Sequence, residues 1–124
     1  MAKRILVVED ETNSRVAMAD FLSDHGFDVA TAASSDRAVE IGRRFRPEIL
    51  ICDWMLEGSG DGVSVARRLH QTLPDLVIVF VTGYPQETLH KESESLHVHR
   101  YLSKPFGLYD LNRVLDEIVA DIGH

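Results

Sequence analysis

Cationic side chains are in short supply: 13 lysines and arginines stand against 20 aspartates and glutamates in 124 residues, a formal net charge of −7. A surface of that sign repels the phosphate backbone of nucleic acids on average, so direct nucleic-acid binding is not expected. A local acidic cluster that holds a cation is compatible with it. Cysteine is nearly absent. The single Cys52 can form no disulfide within the chain, which points to a reducing, cytoplasmic setting. Its place in the run Ile49-Leu50-Ile51-Cys52 predicts a small buried hydrophobe. No apolar run reaches the roughly 20 residues that a membrane-spanning helix needs, so no membrane contact is expected. The opening Met1-Ala2-Lys3-Arg4 leads straight into a short strand-like run that ends in acids, which is not the pattern of a secretory signal. Internal repeats, low-complexity stretches and linkers are also lacking.

What is present is the material of one compact domain, read as residues 1–124. The hydrophobic fraction is 44% and the charged fraction 27%, the balance of a soluble domain with a real core. Short apolar runs alternate with longer amphipathic segments. The runs are 5–8, 29–32, 49–52, 76–81 and the weaker 98–102. Three of them are apolar nearly throughout, as strands buried on both faces are. Between them, helices are predicted over 12–25 (with Val16, Met18, Phe21 and Leu22 as its apolar positions), 35–45, 62–73, 86–95 and 107–121. Gly26 can end the first in a left-handed conformation, and Pro47 and Pro74 block continuation of the second and third. Strand and helix alternate five times, which predicts an α/β domain with a parallel sheet and right-handed crossovers.

In such sheets the functional crevice lies at the carboxyl ends of the strands. Here the first strand ends in Glu9-Asp10-Glu11, the third in Asp53, the fourth in Thr82-Gly83 and the fifth in Ser103-Lys104-Pro105. Carboxylates at hydrogen-bonding separation cannot all stay ionised without compensation. A hard divalent cation supplies it, and magnesium takes one or two carboxylates together with water and phosphate oxygens. An aspartate facing such a cation, an ammonium and a hydroxyl is placed to attack a phosphoryl donor. Taken singly, each residue also has a plainer reading: an acid beside a helix N-terminus, a turn aspartate, a strand threonine, a surface lysine.

The segments 5–11 (Ile-Leu-Val-Val-Glu-Asp-Glu), 49–53, Asp61-Gly62, 81–83 and 101–106 (Tyr-Leu-Ser-Lys-Pro-Phe) together resemble the response-regulator receiver family over essentially the whole length. The resemblance implies a flavodoxin-like (βα)5 fold with strand order 2-1-3-4-5 and helices on both faces. It implies that Asp53 is the phosphoacceptor. Glu9, Asp10, Asp53 and the backbone carbonyl of Met55 would hold Mg2+, for which Mn2+ can substitute. Thr82 would be the switch hydroxyl, Lys104 the lysine that meets a phosphoryl oxygen, and Tyr101 the aromatic switch. The bond before Pro105 would be cis. The implied donor is a histidine kinase or phosphotransfer protein. The implied target is a downstream protein or output domain on the face of helix 86–95, strand 98–102 and helix 107–121. The chain would be a monomer or weak dimer that modifies itself, not a turnover enzyme.

Two departures from the family pattern stand out. Position 57 is glutamate where a proline is usual, and the loop Glu57-Gly58-Ser59-Gly60 is one residue longer. Met55 and Tyr84, two residues beyond Asp53 and Thr82, are bulky, and are expected to hinder the hydrolytic water and lengthen the life of the phosphorylated state. His97 and His99 share a strand face but lack a third ligand nearby. Trp54 is expected to pack in or over the loop after Asp53. The rival readings are a degenerate receiver that binds partners without phosphorylation, an aspartyl phosphatase, which commonly carries an acid where Met55 stands, and a flavodoxin.

Overall fold

A computed structural model of the chain describes residues 2–56, 62–83 and 96–122. The elements alternate as β1 (Arg4–Val8), α1 (Thr12–Asp24), β2 (Asp28–Ala32), α2 (Ser35–Phe45), β3 (Ile49–Asp53), α3 (Gly62–Thr72), β4 (Val77–Thr82), β5 (Val98–Ser103) and α4 (Leu108–Ile122). All strand pairs are parallel, in the order β2-β1-β3-β4-β5. The fold is the flavodoxin-like one expected. Its order reverses between β1 and β3, which opens the crevice at their carboxyl ends. The helix expected over 86–95 lies outside the described residues.

Every residue of β3 and β4 is buried, because helices cover both faces. The period-two alternation of strand side chains sends Leu50, Cys52, Ile78 and Phe80 to a core shared with α2 and α3. Ile49, Ile51, Val77, Val79 and Val81 go to a second core, with Met18 and Leu22 of α1 and Leu111, Leu115 and Ile118 of α4. Cys52 is buried as expected.

Local chemistry sets the helix ends. Glu11 caps α1, its carboxylate accepting from the amides of Asn13 and Ser14 at 3.0 and 2.6 Å. A hydrogen bond from the Ser14 side chain, together with these two amide bonds, holds its pKa below the ordinary value. Of the three acids at the end of β1, Glu11 therefore serves the helix rather than the crevice. Gly26 follows α1 with φ +90°, where a β-carbon would be strained. Ser34 caps α2. One expectation fails: Val16 is 49% exposed. It lies two residues from Met18, about 200° around the helix from the face that Met18 and Leu22 bury.

Gly62 begins α3, and its amide donates to the carbonyl of Trp54 at 2.9 Å. A β-carbon there would meet the Asp53 carbonyl oxygen and the Trp54 Cα, both main-chain atoms with no room to yield. Gly62→Ala is expected to cost about 2–3 kcal/mol of stability by overpacking, seen as a lower denaturant midpoint at unchanged slope.

Candidate functional site at the carboxyl edge of the sheet

Among the described residues, four polar side chains are buried at this edge or just beneath it: Glu9, Ser35, Asp53 and Thr82. The register explains how three of them meet. Val8 pairs with Cys52, and Asp53 with Val81. Glu9, Asp53 and Thr82, each at or one residue past these pairs, therefore end at the same level. Carboxylate oxygens of Glu9, Asp10 and Asp53 lie within 4.8 Å of one another. Lys104 reaches over from the end of β5, its Nζ 2.8 Å from Asp53 Oδ2 and 3.3 Å from Glu9 Oε1. The loop that carries it is tied to β4 by a 2.7 Å bond from the Lys104 amide to the Thr82 carbonyl, and the Lys104–Pro105 peptide is cis. The Met55 amide donates to Asp53 Oδ1 at 3.1 Å, while the Met55 side chain is half exposed. Tyr101 is partly buried, its ring 6.2 Å from that of Phe80. Tyr84 and Asp61 lie outside the described residues, as does the segment Glu57-Gly58-Ser59-Gly60.

The electrostatics follow from two buried acids, Glu9 and Asp53, that share one ammonium, with the Asp10 carboxylate beside them. Burial raises the pKa of Glu9 from an ordinary 4.5 to about 8. A hydrogen bond to Asp53 and the charge of Asp53 add to this, and Lys104 only partly offsets it. Partial burial would lower the pKa of Lys104. The hydrogen bond to Asp53 and the charges of Asp53 and Glu9 outweigh that and hold it above the ordinary value. Without a cation the cluster thus keeps a proton on Glu9 at neutral pH. Adjacent buried carboxylates, hard oxygen donors with one proton too many, fit a small divalent ion such as magnesium.

Sequence reasoning missed Arg15. Its guanidinium donates to the main-chain carbonyls of Glu9, at 2.9 Å, and Asp10, at 3.5 Å, which pins the turn that carries both acids. The available signal was a cation early in a helix, where the dipole disfavours one. The histidine pair gains no third ligand. His97 and His99 stack edge to face at 4.7 Å, and the acidic trio is the one three-residue ligand group among the described residues.

Residues 5–116 match the family described as the response regulator receiver domain. The chain belongs to that family. Receiver domains are signalling modules of two-component systems, which take phosphoryl groups from kinases, bind Mg2+ in an acidic pocket and act on output domains. This receiver domain is 31% identical over 117 residues to the response regulator receiver protein CpdR of Brucella abortus, covering 94% of this chain and 97% of that one. It is 24% identical over 118 residues to sporulation initiation phosphotransferase F of Bacillus subtilis, covering 95% and 92%. Against the phosphate regulon transcriptional regulatory protein PhoB of Escherichia coli the figures are 32% over 113 residues, with 90% of this chain but 49% of that protein covered. A CheY-like receiver domain protein from Methanospirillum hungatei superposes with a TM-score of 0.90 at 23% identity, covering 98% of this chain and 96% of that one, and shares the fold.

Proposed function

We infer that this receiver accepts a phosphoryl group on Asp53 with magnesium held by Glu9, Asp10, Asp53 and the Met55 carbonyl. The observation that carries the reading is the contact of Lys104 Nζ with Asp53 Oδ2, 2.8 Å, beside two further carboxylates. An Asp53 oxygen attacks phosphorus while the bond to the donor, a phosphohistidine nitrogen of a kinase or phosphotransfer protein, breaks. Lys104 moves from carboxylate to phosphoryl oxygen and offsets the charge developing there. Magnesium, when bound, supplies the rest of that neutralisation. Thr82 is the hydroxyl that turns to the new group, and Tyr101 fills the space it leaves. The face of residues 86–95, β5 and α4 then changes its fit to a target protein or output domain. The chain acts as one domain, residues 1–124, in a reducing cytoplasmic setting, and turns over no external substrate. Incubation with acetyl phosphate and magnesium, followed by peptide mass mapping, tests the reading. One phosphoryl group on the peptide holding Asp53 is expected, and a label elsewhere sinks it.

Magnesium binding has to displace the proton that Glu9 holds up to about pH 8. Affinity is therefore expected to rise about tenfold per pH unit below that value and to level off above it. Calorimetry in buffers of different ionisation enthalpy should register close to one proton released near pH 7. In the metal-free protein the folded pKa of Glu9 lies above the unfolded one. Its contribution to stability is thus fully present below about 4.5 and is lost as pH rises through about 8.

Met55 supports a slow hydrolysis of the acyl phosphate. Its side chain is half exposed while its amide is bonded to Asp53. Met55→Asn combined with Tyr84→Ala is expected to shorten the phosphorylated lifetime about fivefold, about 1 kcal/mol of barrier. Faster loss from the wild type than from the variant would overturn that role.

A further inference from the structure

The sheet divides charge as well as core. On one face, α1 and α4 carry six acids against two arginines, Arg15 and Arg113. On the other, α2 and α3 with the residue that follows α2 carry six arginines (Arg37, Arg43, Arg44, Arg46, Arg67 and Arg68) against two acids, Asp36 and Glu40. All six arginines are exposed, and no lysine stands among them. Helix dipoles favour cations in a last turn, which accounts for Arg43 and Arg44. They do not account for Arg37 in the first turn of α2, or for Arg67 and Arg68 in the body of α3. The two helices form one continuous surface, because Gly42 lets α2 close onto Leu69 of α3; a β-carbon there would stand 2.6 Å from a Leu69 methyl. Glu40 is shared by Arg37 and Arg44 at 3.3 and 3.4 Å, and among the described residues Arg43, Arg46 and Arg68 have no carboxylate within ion-pairing distance.

We propose that the α2–α3 face docks on the α1–α4 face of a second copy of this chain. The molecule itself supplies the complement: Asp20, Asp24, Asp116, Glu117 and Asp121 are exposed on that opposite face. Arginine, with its planar fork, suits pairing with carboxylates better than lysine does. Pairing of like faces would set acids against acids or arginines against arginines. The contact is therefore head-to-tail, and it leaves one cationic and one acidic face free at the ends of each assembly. Such an interface does not close by two-fold symmetry; it grows by stacking. Resting on exposed ion pairs, it is weak and screened by salt. The carboxyl edge of the sheet, with Asp53, stays open at every copy.

Sedimentation velocity on the full chain tests this over roughly two decades of concentration, at about 0.02 M and about 0.5 M salt. Average size should grow with concentration at low salt and return to the monomer at high salt. Arg43→Glu with Arg67→Glu should be monomeric throughout, as should Asp20→Arg with Asp116→Arg. Circular dichroism melts would verify that both variants fold. An equimolar mixture of the two should associate again, because the first keeps the native acidic face and the second keeps the native arginine face. A wild type that stays monomeric at low salt, association that salt does not weaken, or a mixture that stays monomeric would each overturn the proposal. Binding of a DNA duplex that Arg43→Glu with Arg67→Glu removes, without self-association, would overturn it too and assign the face to nucleic acid.

Discussion

Asp53→Asn is expected to cut phosphoryl incorporation from acetyl phosphate by at least about 100-fold, because a carboxamide oxygen is not a competent nucleophile. The side chain it replaces is buried, with Lys104 on one oxygen and the Met55 amide on the other. Asparagine keeps the shape and one acceptor, so the fold is retained, and circular dichroism together with an unchanged denaturation slope would verify it. The same substitution removes both a hydrogen bond and a negative charge that help to hold the proton on Glu9. The variant should therefore release less than one proton on binding magnesium near pH 7, even as its affinity drops with the loss of a ligand. Undiminished labelling of the variant would remove Asp53 from the proposed role.

Lys104→Ala is expected to slow phosphorylation by about 10²–10³-fold while leaving Asp53 chemically intact, the scale typical of removing one fixed donor from a developing charge. Among the described residues, Lys104 is the side-chain cation within ion-pairing distance of Asp53 and Glu9. It also opposes protonation of Glu9. Its loss should push that proton's midpoint higher and shift the rise of magnesium affinity to more alkaline pH. A merely structural role would lower stability without moving that profile. Lys104→Arg separates charge from fit: it restores the cation, but in a wider planar group that cannot occupy the same point between two carboxylates.

The layout was legible in the sequence because burial on both faces leaves a signature. The runs 49–52 and 76–81 have no polar alternation, which required helices above and below them. Proline and glycine punctuation fixed where α1, α2 and α3 stop, to within a residue or two. The convergence of Glu9, Asp53, Thr82 and Lys104 followed from one rule about where parallel strands end. Strand order and residue roles came from the family resemblance, since periodicity carries no information about which strand lies beside which. Other features depended on approaches between distant segments. Arg15 acts through main-chain carbonyls, so it does not look like part of a site in one dimension; Gly62 stood out as part of a family segment, but not for the close approach of its missing β-carbon to Asp53. Val16 was misplaced because apolar character was counted where angle around the helix decides.

The alternation along β4 has a consequence for how any signal leaves the site. Glu9 and Asp53 fall in the same pleat parity as Ile5, Val7, Ile49 and Ile51, on the side of α1 and α4, whereas Thr82 falls in the parity of Ile78 and Phe80, on the side of α2 and α3 where Tyr101 packs. The acids thus lie on one side of a sheet one residue thick, and the hydroxyl and the aromatic ring on the other. Amide hydrogen exchange should accordingly be lopsided after phosphorylation, with protection altered in β5 and its neighbours and nearly constant along the inner turns of α1.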